Sequence, residues 1–298
     1  MWVILAIFSS SLLGVYDLLK KGSLKNNPFL PVLFLATTTG SVLFLSLAIS
    51  SRTGIISGES IIYVPQVEFK AHLLFFLKAI LVGSSWFFAY MALSKLPITI
   101  VVPIRSTGPI WTIAGALLIY SERFNLYQWL GIIIAIIASY MFALAGRKEG
   151  INFKNNKWVL AIVTATILGS ASSLYDKYLL FHYDRMAVQA WFSIYMFFVL
   201  LPFLLIMWVP KRKESPVFRW RWTIPAIGIV LSLADFLYFY ALSDPTALIG
   251  IVSVIRRSSV IIAFTLGAII FKEGNIKRKA IALLGILCGV ILLVLGSY

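Results

Sequence analysis

The chain of 298 residues is 60% hydrophobic and only 12% charged, whereas soluble proteins carry about 25% charged residues. This deficit of charge excludes an ordinary soluble enzyme, a nucleic-acid-binding domain and a disordered chain. The formal net charge of +15 would suggest nucleic acid in a soluble protein, but in membrane proteins lysine and arginine collect in cytoplasmic loops. The composition therefore predicts a polytopic protein surrounded by membrane lipids, with no nucleic acid as a partner.

Ten apolar segments follow one another along the chain, each long enough for a helix to cross a bilayer core of about 30 Å. They occupy residues 2–21, 29–50, 71–93, 97–121, 125–146, 158–180, 187–209, 223–242, 247–271 and 280–297. We number them segments 1 to 10. The first has neither a basic region before it nor a small-residue cleavage site, which favours a retained helix over a signal peptide. The expected fold class is all-α integral membrane, with ten transmembrane helices.

Basic residues gather in the loops that follow odd-numbered segments. These loops hold 17 of the 26 lysines and arginines, whereas the loops after even-numbered segments hold four. Because positively charged loops stay in the cytoplasm, this bias places both termini outside. We expect a multi-pass protein of the bacterial cytoplasmic (inner) membrane.

Groups that bind metals or form disulfides are scarce. The chain has one cysteine, Cys288, and two histidines, His72 and His182, which lie far apart in the sequence. One cysteine excludes a disulfide within the chain and any multi-cysteine metal site. A Walker-type phosphate loop and a Gly-x-Ser-x-Gly elbow are also absent from the sequence. We therefore predict no metal, no cofactor and no enzymatic activity.

The two halves of the chain repeat short motifs in the same order, at offsets of 149 to 159 residues. The motif pairs are Tyr16-Asp17 with Tyr175-Asp176, Ala92-Leu93-Ser94 with Ala241-Leu242-Ser243, Ile104-Arg105 with Ile255-Arg256, Glu122 with Glu273, and Leu130-Gly131-Ile132 with Leu284-Gly285-Ile286. Because each half has five segments, an odd number, the second half enters the membrane from the opposite side. This pattern predicts two inverted five-helix repeats, residues 1–150 and 151–298, with a midplane substrate site and alternating access.

The five-plus-five arrangement, the Ala-Leu-Ser turns, the glutamates after segments 4 and 9 and the glycines of segments 5 and 10 resemble the EamA family of the drug/metabolite transporter superfamily. The resemblance covers nearly the whole chain. It implies secondary transport of small metabolites, with segments 4 and 9 among those that line a central cavity. It also implies cytoplasmic termini, as in many relatives, whereas the charge bias here places them outside.

Five ionisable residues lie deep inside the segments, where charged groups are costly and usually functional. They are Lys78, Arg105, Arg256, Arg257 and Asp235. Their excess of positive charge predicts a substrate with a carboxylate or phosphate group, because the planar guanidinium of arginine binds such groups bidentately.

Arg105 lies between Pro103 and Gly108-Pro109. The two prolines remove backbone donors and loosen the helix, so that its free carbonyls can line a cavity. We expect Arg105 to face the transport path. The alternatives are a structural pair with Asp235 or a kink packed against neighbouring helices.

Arg256 occupies the repeat position of Arg105 and is the better candidate for substrate contact. Arg257 points about 100° away on a helix and could be neutralised by Asp235, but the sequence leaves open which arginine takes which role. Asp235 is either a carboxylate that couples proton movement to transport or a permanent counter-ion. In the first half, Trp86 stands at the position that matches Asp235.

The remaining candidates have two interpretations each. Lys78 either contributes to the site or extends its amine to the membrane surface. Aromatic residues near the charges either form cavity walls or pack against neighbours: Trp86, Tyr90, Trp111 and Tyr238. The repeated pairs are either gates at opposite faces or helix-end anchors: Tyr16, Asp17, Tyr175 and Asp176.

Small residues spaced four apart occur in segments 5 and 10, at Gly131 and Ala135 and at Gly285 and Gly289. They allow close helix packing, either within one chain or between two, so the protein is a monomer or a homodimer. The sequence favours a secondary transporter of small polar metabolites, possibly anionic or zwitterionic, such as amino acids or other carboxylates. The alternatives are a flippase for a lipid-linked phosphate and an intramembrane enzyme.

Overall fold

The computed structural model describes residues 1–93, 95–96, 101, 104–144, 156–271 and 276–297. Eleven helices and no strand occupy this part of the chain. The helices are α1 (Trp2–Leu24), α2 (Phe29–Arg52), α3 (Phe69–Leu93), α4 (Gly108–Ile119), α5 (Leu126–Leu144), α6 (Lys157–His182), α7 (Arg185–Phe203), α8 (Thr223–Leu242), α9 (Ile249–Arg257), α10 (Ser259–Phe271) and α11 (Ile276–Leu295). A π-helical turn, Leu204–Trp208, extends α7. The predicted repeat boundary at residue 150, together with Ser94, Pro103 and Glu273, lies outside the described residues.

Within the described ranges, seven stretches are long and apolar enough to span a membrane. They are Trp2–Leu24, Phe29–Arg52, Phe69–Ala89, Lys157–His182, Arg185–Trp208, Thr223–Leu242 and Ile249–Gly267. Three shorter apolar helices lie at Ile104–Ile119, Leu126–Phe142 and Ile281–Leu295. An all-helical protein with several membrane-spanning helices is confirmed, whereas the number of ten spans stays a prediction.

The helices of segments 4 and 9 are interrupted at equivalent positions. Helical backbone before α4 gives way to a turn at Thr107, and α9 ends at a turn at Ser258, 151 residues further on. In each turn the side-chain hydroxyl donates to a carbonyl three residues back, Thr107 Oγ1 to Ile104 O and Ser258 Oγ to Ile255 O, both at 2.7 Å. These bonds compete with regular helical hydrogen bonding.

The helices pack in a pattern that is unchanged when the two halves are exchanged. Helix α1 packs along α8 as α6 packs along α3, and α1 contacts α10 as α6 contacts α4. Helix α2 contacts α8 as α7 contacts α3, while α2 packs on α7 and α5 on α11. The repeated motifs of the sequence thus lie in helices with equivalent neighbours.

The helix directions define two ends of the bundle. Helices α1 and α8 are antiparallel, because Ser9 Oγ donates to Ala234 O at 2.7 Å and Ser23 Oγ lies 2.5 Å from Thr223 Oγ1. We call the end where α1 finishes the first face. Helix α6 finishes beside the end of α8, at the opposite end, which we call the second face.

Helices α5 and α11 approach each other closely through their small residues. A Cβ atom added at Gly289 would lie 2.8 Å from Gly131 O and 2.8 Å from Ala135 N, and one added at Gly285 would lie 2.8 Å from Ala138 Cβ. The small-residue motif therefore joins two helices of one chain.

Candidate functional site

A buried ion pair joins three helices near the second face. The Lys78 ammonium on α3 pairs with Oδ1 of Asp176 on α6, and the Tyr238 hydroxyl on α8 donates to Asp176 Oδ2 at 3.1 Å. Lys78 and Asp176 are 2% and 5% exposed. The Lys78 ammonium also lies 4.3 Å from the ring centroid of Phe192. Lys78 is thus an internal counter-ion in this conformation, and its amine does not reach the membrane surface.

A second buried pair, at the same face, was missed in the sequence. Lys177 Nζ donates to Glu122 Oε1 at 2.7 Å and to Ala247 O at 2.9 Å. The Glu122 carboxylate also accepts from the backbone N–H groups of Ile249 at 2.7 Å and Gly250 at 3.2 Å. It therefore caps the N-terminus of α9, where negative charge is favourable. The available signal was a lysine within apolar segment 6, directly after the repeated pair Tyr175-Asp176.

Asp235 neutralises Arg256. The Arg256 guanidinium donates to Asp235 Oδ1 at 2.8 Å and lies 3.9 Å from the ring centroid of Tyr238. Both side chains of the pair are about one-fifth exposed, at 20% and 22%. The sequence left open whether Arg256 or Arg257 is neutralised by Asp235, and the structure shows Arg256 in that role. The alternative pairing of Asp235 with Arg105 is not observed.

Arg105 and Arg257 have no ion-pair partner within the described ranges. Both are half-buried. The positive charge of Arg105 acts on Arg257, and the negative charge of Asp17 acts on both. The two guanidinium groups therefore lie within electrostatic reach of each other and of Asp17, and neither has a carboxylate in contact within the described ranges.

Packing places the two arginines at a similar depth. Helix α4 runs toward the second face and α9 starts there, and they touch where a Cβ at Gly250 would lie 3.3 Å from Ile113 Cγ1. Arg105 precedes Ile113 by eight residues and Arg257 follows Gly250 by seven, which correspond to about 12 and 11 Å along a helix. Both arginines therefore lie well inside the bundle, next to the interruptions at Thr107 and Ser258.

An exposed ion pair lies at the first face. Lys20 Nζ lies 3.2 Å from Asp17 Oδ1, with the side chains 37% and 43% exposed, and 4.8 Å from the ring centroid of Tyr16. A recess of about 230 Å³ is lined by Tyr16 and Lys20 together with apolar residues of α1, α2 and α8. A neighbouring recess of about 240 Å³ includes Trp86 in its lining.

Other sequence candidates lie at separate places. Tyr175 donates its hydroxyl to Leu74 O at 3.3 Å, and Trp111 is exposed on α4. The side chain of Tyr90 lies outside the described residues. No group of three His, Cys, Asp or Glu side chains that could hold a metal ion occurs in the described ranges.

Comparisons with known proteins identify the family. The EamA-like transporter family matches the chain twice, over residues 1–144 and 156–295. No curated protein matches, whereas 29 chains of solved structures do. One of these, described only as a crystal structure of a protein, has a TM-score of 0.74 and 16% identity, covering 99% of this chain and 95% of that chain, which shows the fold alone. The chain belongs to the EamA-like transporter family of the drug/metabolite transporter superfamily.

Proposed function

We propose that the protein is a secondary transporter of small polar metabolites that works by alternating access between two inverted five-helix repeats, residues 1–150 and 151–298. The observation that carries this proposal is the pair of equivalent interruptions, at Thr107 and Ser258. In inverted-repeat transporters, discontinuous helices form the substrate site near the midplane. Irregular backbone at membrane depth is tolerated where it is buried in protein or lines a cavity.

The ion pairs supply the two gates of this mechanism. The pairs Lys78–Asp176 and Lys177–Glu122 close the second face, and we propose that they separate when that face opens. At the first face, the described residues include the exposed pair of Lys20 and Asp17. Tyr16 and Asp17 therefore serve as the gate of the first face, and Tyr175 and Asp176 as the gate of the second.

We propose ten spans for this chain, since the three shorter helices coincide with predicted segments. The positive-inside bias puts the first face in the cytoplasm of a bacterial cell. Because the small-residue motif of α5 and α11 is used within one chain, a single chain serves as the transport unit.

Reciprocal labelling of single cysteines tests alternating access without knowledge of the substrate. In a Cys288→Ser background, a cysteine replaces Leu33, which is partly exposed in the first-face recess, or Ala247, which is buried beneath the second-face gate. A polar maleimide should label the position-33 cysteine rapidly and the position-247 cysteine slowly. Adding Asp176→Asn with Glu122→Gln should open the second face, reversing this order.

The control for this experiment is Ile55→Cys, because Ile55 is 79% exposed in the α2–α3 connection and should label equally in both backgrounds. Labelling rates at positions 33 and 247 that rise together, or that do not change with the gate substitutions, would contradict alternating access.

A further inference from the structure

We infer that the substrate carries two negative charges close together, as in a dicarboxylate or a phosphate dianion, and that Arg105 and Arg257 bind it while Arg256 does not. This inference rests on the proposed transport function and names the substrate class of the same central site.

The cations deep inside the bundle differ in whether a carboxylate contacts them. The deep cations Lys78, Lys177 and Arg256 each have a carboxylate in contact within the described part of the chain. Arg105 and Arg257 have none there, so two positive charges remain. A charge in a low-dielectric interior is costly without a partner. A bound dianion would supply that partner.

The two repeats differ in the counter-ion of their equivalent arginines. Arg256 has Asp235 as its counter-ion, whereas the equivalent Arg105 has Trp86 at the position that matches Asp235. Both halves therefore have an arginine at this repeat position, but only the second half has a carboxylate at the matching position of the neighbouring helix. The first half is built with an uncompensated cation at the interruption.

Arg105 and Arg257 are only partly buried, so a substrate could reach both. They lie at similar depth and stand beside the turns at Thr107 and Ser258. Each guanidinium group can donate to the paired oxygens of a carboxylate or phosphate, with which arginine forms short, charge-assisted bonds. The tyrosine and lysine of the first-face recess, Tyr16 and Lys20, lie along the same stretch of α1 as Asp17, whose charge reaches both arginines.

Thermal unfolding of the purified full-length protein tests the inference. The probes are succinate and inorganic phosphate, with neutral succinamide for comparison, all at equal ionic strength. Succinate or phosphate should raise the unfolding temperature saturably, and succinamide should not. A response to succinate alone identifies a dicarboxylate, and a response to phosphate alone identifies a phosphate. Arg105→Gln and Arg257→Gln should each abolish the rise, whereas Lys70→Gln, which removes an exposed lysine, should retain it.

The protein without ligand gives a second, independent measurement. Because Arg105 and Arg257 repel each other, Arg105→Gln and Arg257→Gln should each raise the unfolding temperature by about 2–4 °C. Arg256→Gln, next to Arg257 in the chain, should lower it because Asp235 loses its partner. A fall in all three variants, or no saturable rise with either anion, would overturn the inference.

The cysteine experiment separates this inference from the transport proposal. Reciprocal labelling at positions 33 and 247 together with no response to either anion would support alternating access and reject the dianion. Non-reciprocal labelling together with a saturable anion response would reject alternating access and retain the anion site.

Discussion

Asp176 and Asp17 occupy matching positions of the two repeats but have different surroundings. Asp176 is 5% exposed and accepts from both Lys78 and Tyr238. Asp17 contacts Lys20 at a half-exposed site on its own helix. A buried carboxylate whose partner is removed keeps its desolvation cost, whereas an exposed pair contributes little. The contribution of an aspartate to stability at this repeat position therefore depends on how deeply it is buried.

We predict that Asp176→Asn lowers the free energy of unfolding by about 3–5 kcal/mol, because Lys78 is left as an uncompensated buried charge. Asp17→Asn, the matched control, should lower it by less than about 1 kcal/mol. The double variant Lys78→Met with Asp176→Leu should recover most of the loss, since an apolar pair of similar volume can replace a buried ion pair. Chemical denaturation in detergent measures all three, and equal losses for Asp176→Asn and Asp17→Asn would refute the distinction.

Some site residues could be recognised from the sequence and their partners could not. The depth of Arg105, Arg256, Arg257 and Asp235 follows from their position in apolar segments, and so does the excess of positive charge. Which arginine contacts Asp235 depends on how α8 and α9 are rotated about their axes. That rotation is set by packing between helices, for which one sequence contains no distance information.

At the scale of the helices, the interruption at Thr107 could be predicted from the sequence and the one at Ser258 could not. Pro109 lacks an N–H group, and its ring clashes with the carbonyl four residues earlier, so a break before α4 was expected. The break at Ser258 has no proline or glycine beside it. It depends on a serine hydroxyl that bonds Ile255 O and on contact with Ser10 of α1, 3.0 Å away. Serine in an apolar segment is too common a feature to predict such a break.

We predict that Gly289→Ala lowers the free energy of unfolding by about 1–3 kcal/mol, because the added methyl group meets the backbone of α5 and overpacks the contact. The matched control is Gly22→Ala in α1, where nothing lies within 4 Å of the added Cβ, and its stability should be unchanged or slightly higher. Denaturation in detergent gives both values. Equal stability of Gly289→Ala and the parent protein would show that α5 and α11 can separate freely.

At the scale of the whole molecule, the motif repeat and the odd number of segments per half predicted that equivalent helices of the two halves would have equivalent neighbours. The packing of α1 on α8 and of α6 on α3 agrees with this prediction. The charge bias predicted the orientation of the bundle. Neither pattern shows that the two faces differ in their ion pairs. Lys177 lies in segment 6 and Glu122 follows segment 4, so the sequence does not indicate that they are in contact. The first half also has Leu18 at the position that matches Lys177.

We predict that the loop from α2 to α3 lies outside the cell and the loop from α7 to α8 inside. Ile55 and Val217 offer a matched pair, being 79% and 78% exposed. In a Cys288→Ser background, Ile55→Cys should react with a membrane-impermeant maleimide in intact cells. Val217→Cys should react only after permeabilisation. The reverse result would place both termini in the cytoplasm, as the family resemblance implies.

The unequal closure of the two faces has a consequence for the energetics of transport. In the proposed mechanism, opening the second face separates the buried pairs Lys78–Asp176 and Lys177–Glu122, whereas opening the first face separates the exposed pair of Lys20 and Asp17. We therefore expect the empty protein to rest with its site exposed to the first face. A fixed preference of this kind is the same at the start and end of every cycle and performs no work. It sets how often each compartment finds the site vacant and therefore makes the apparent affinities on the two sides differ. The direction of net flux follows only from the concentrations of solute and any coupled ion across the membrane.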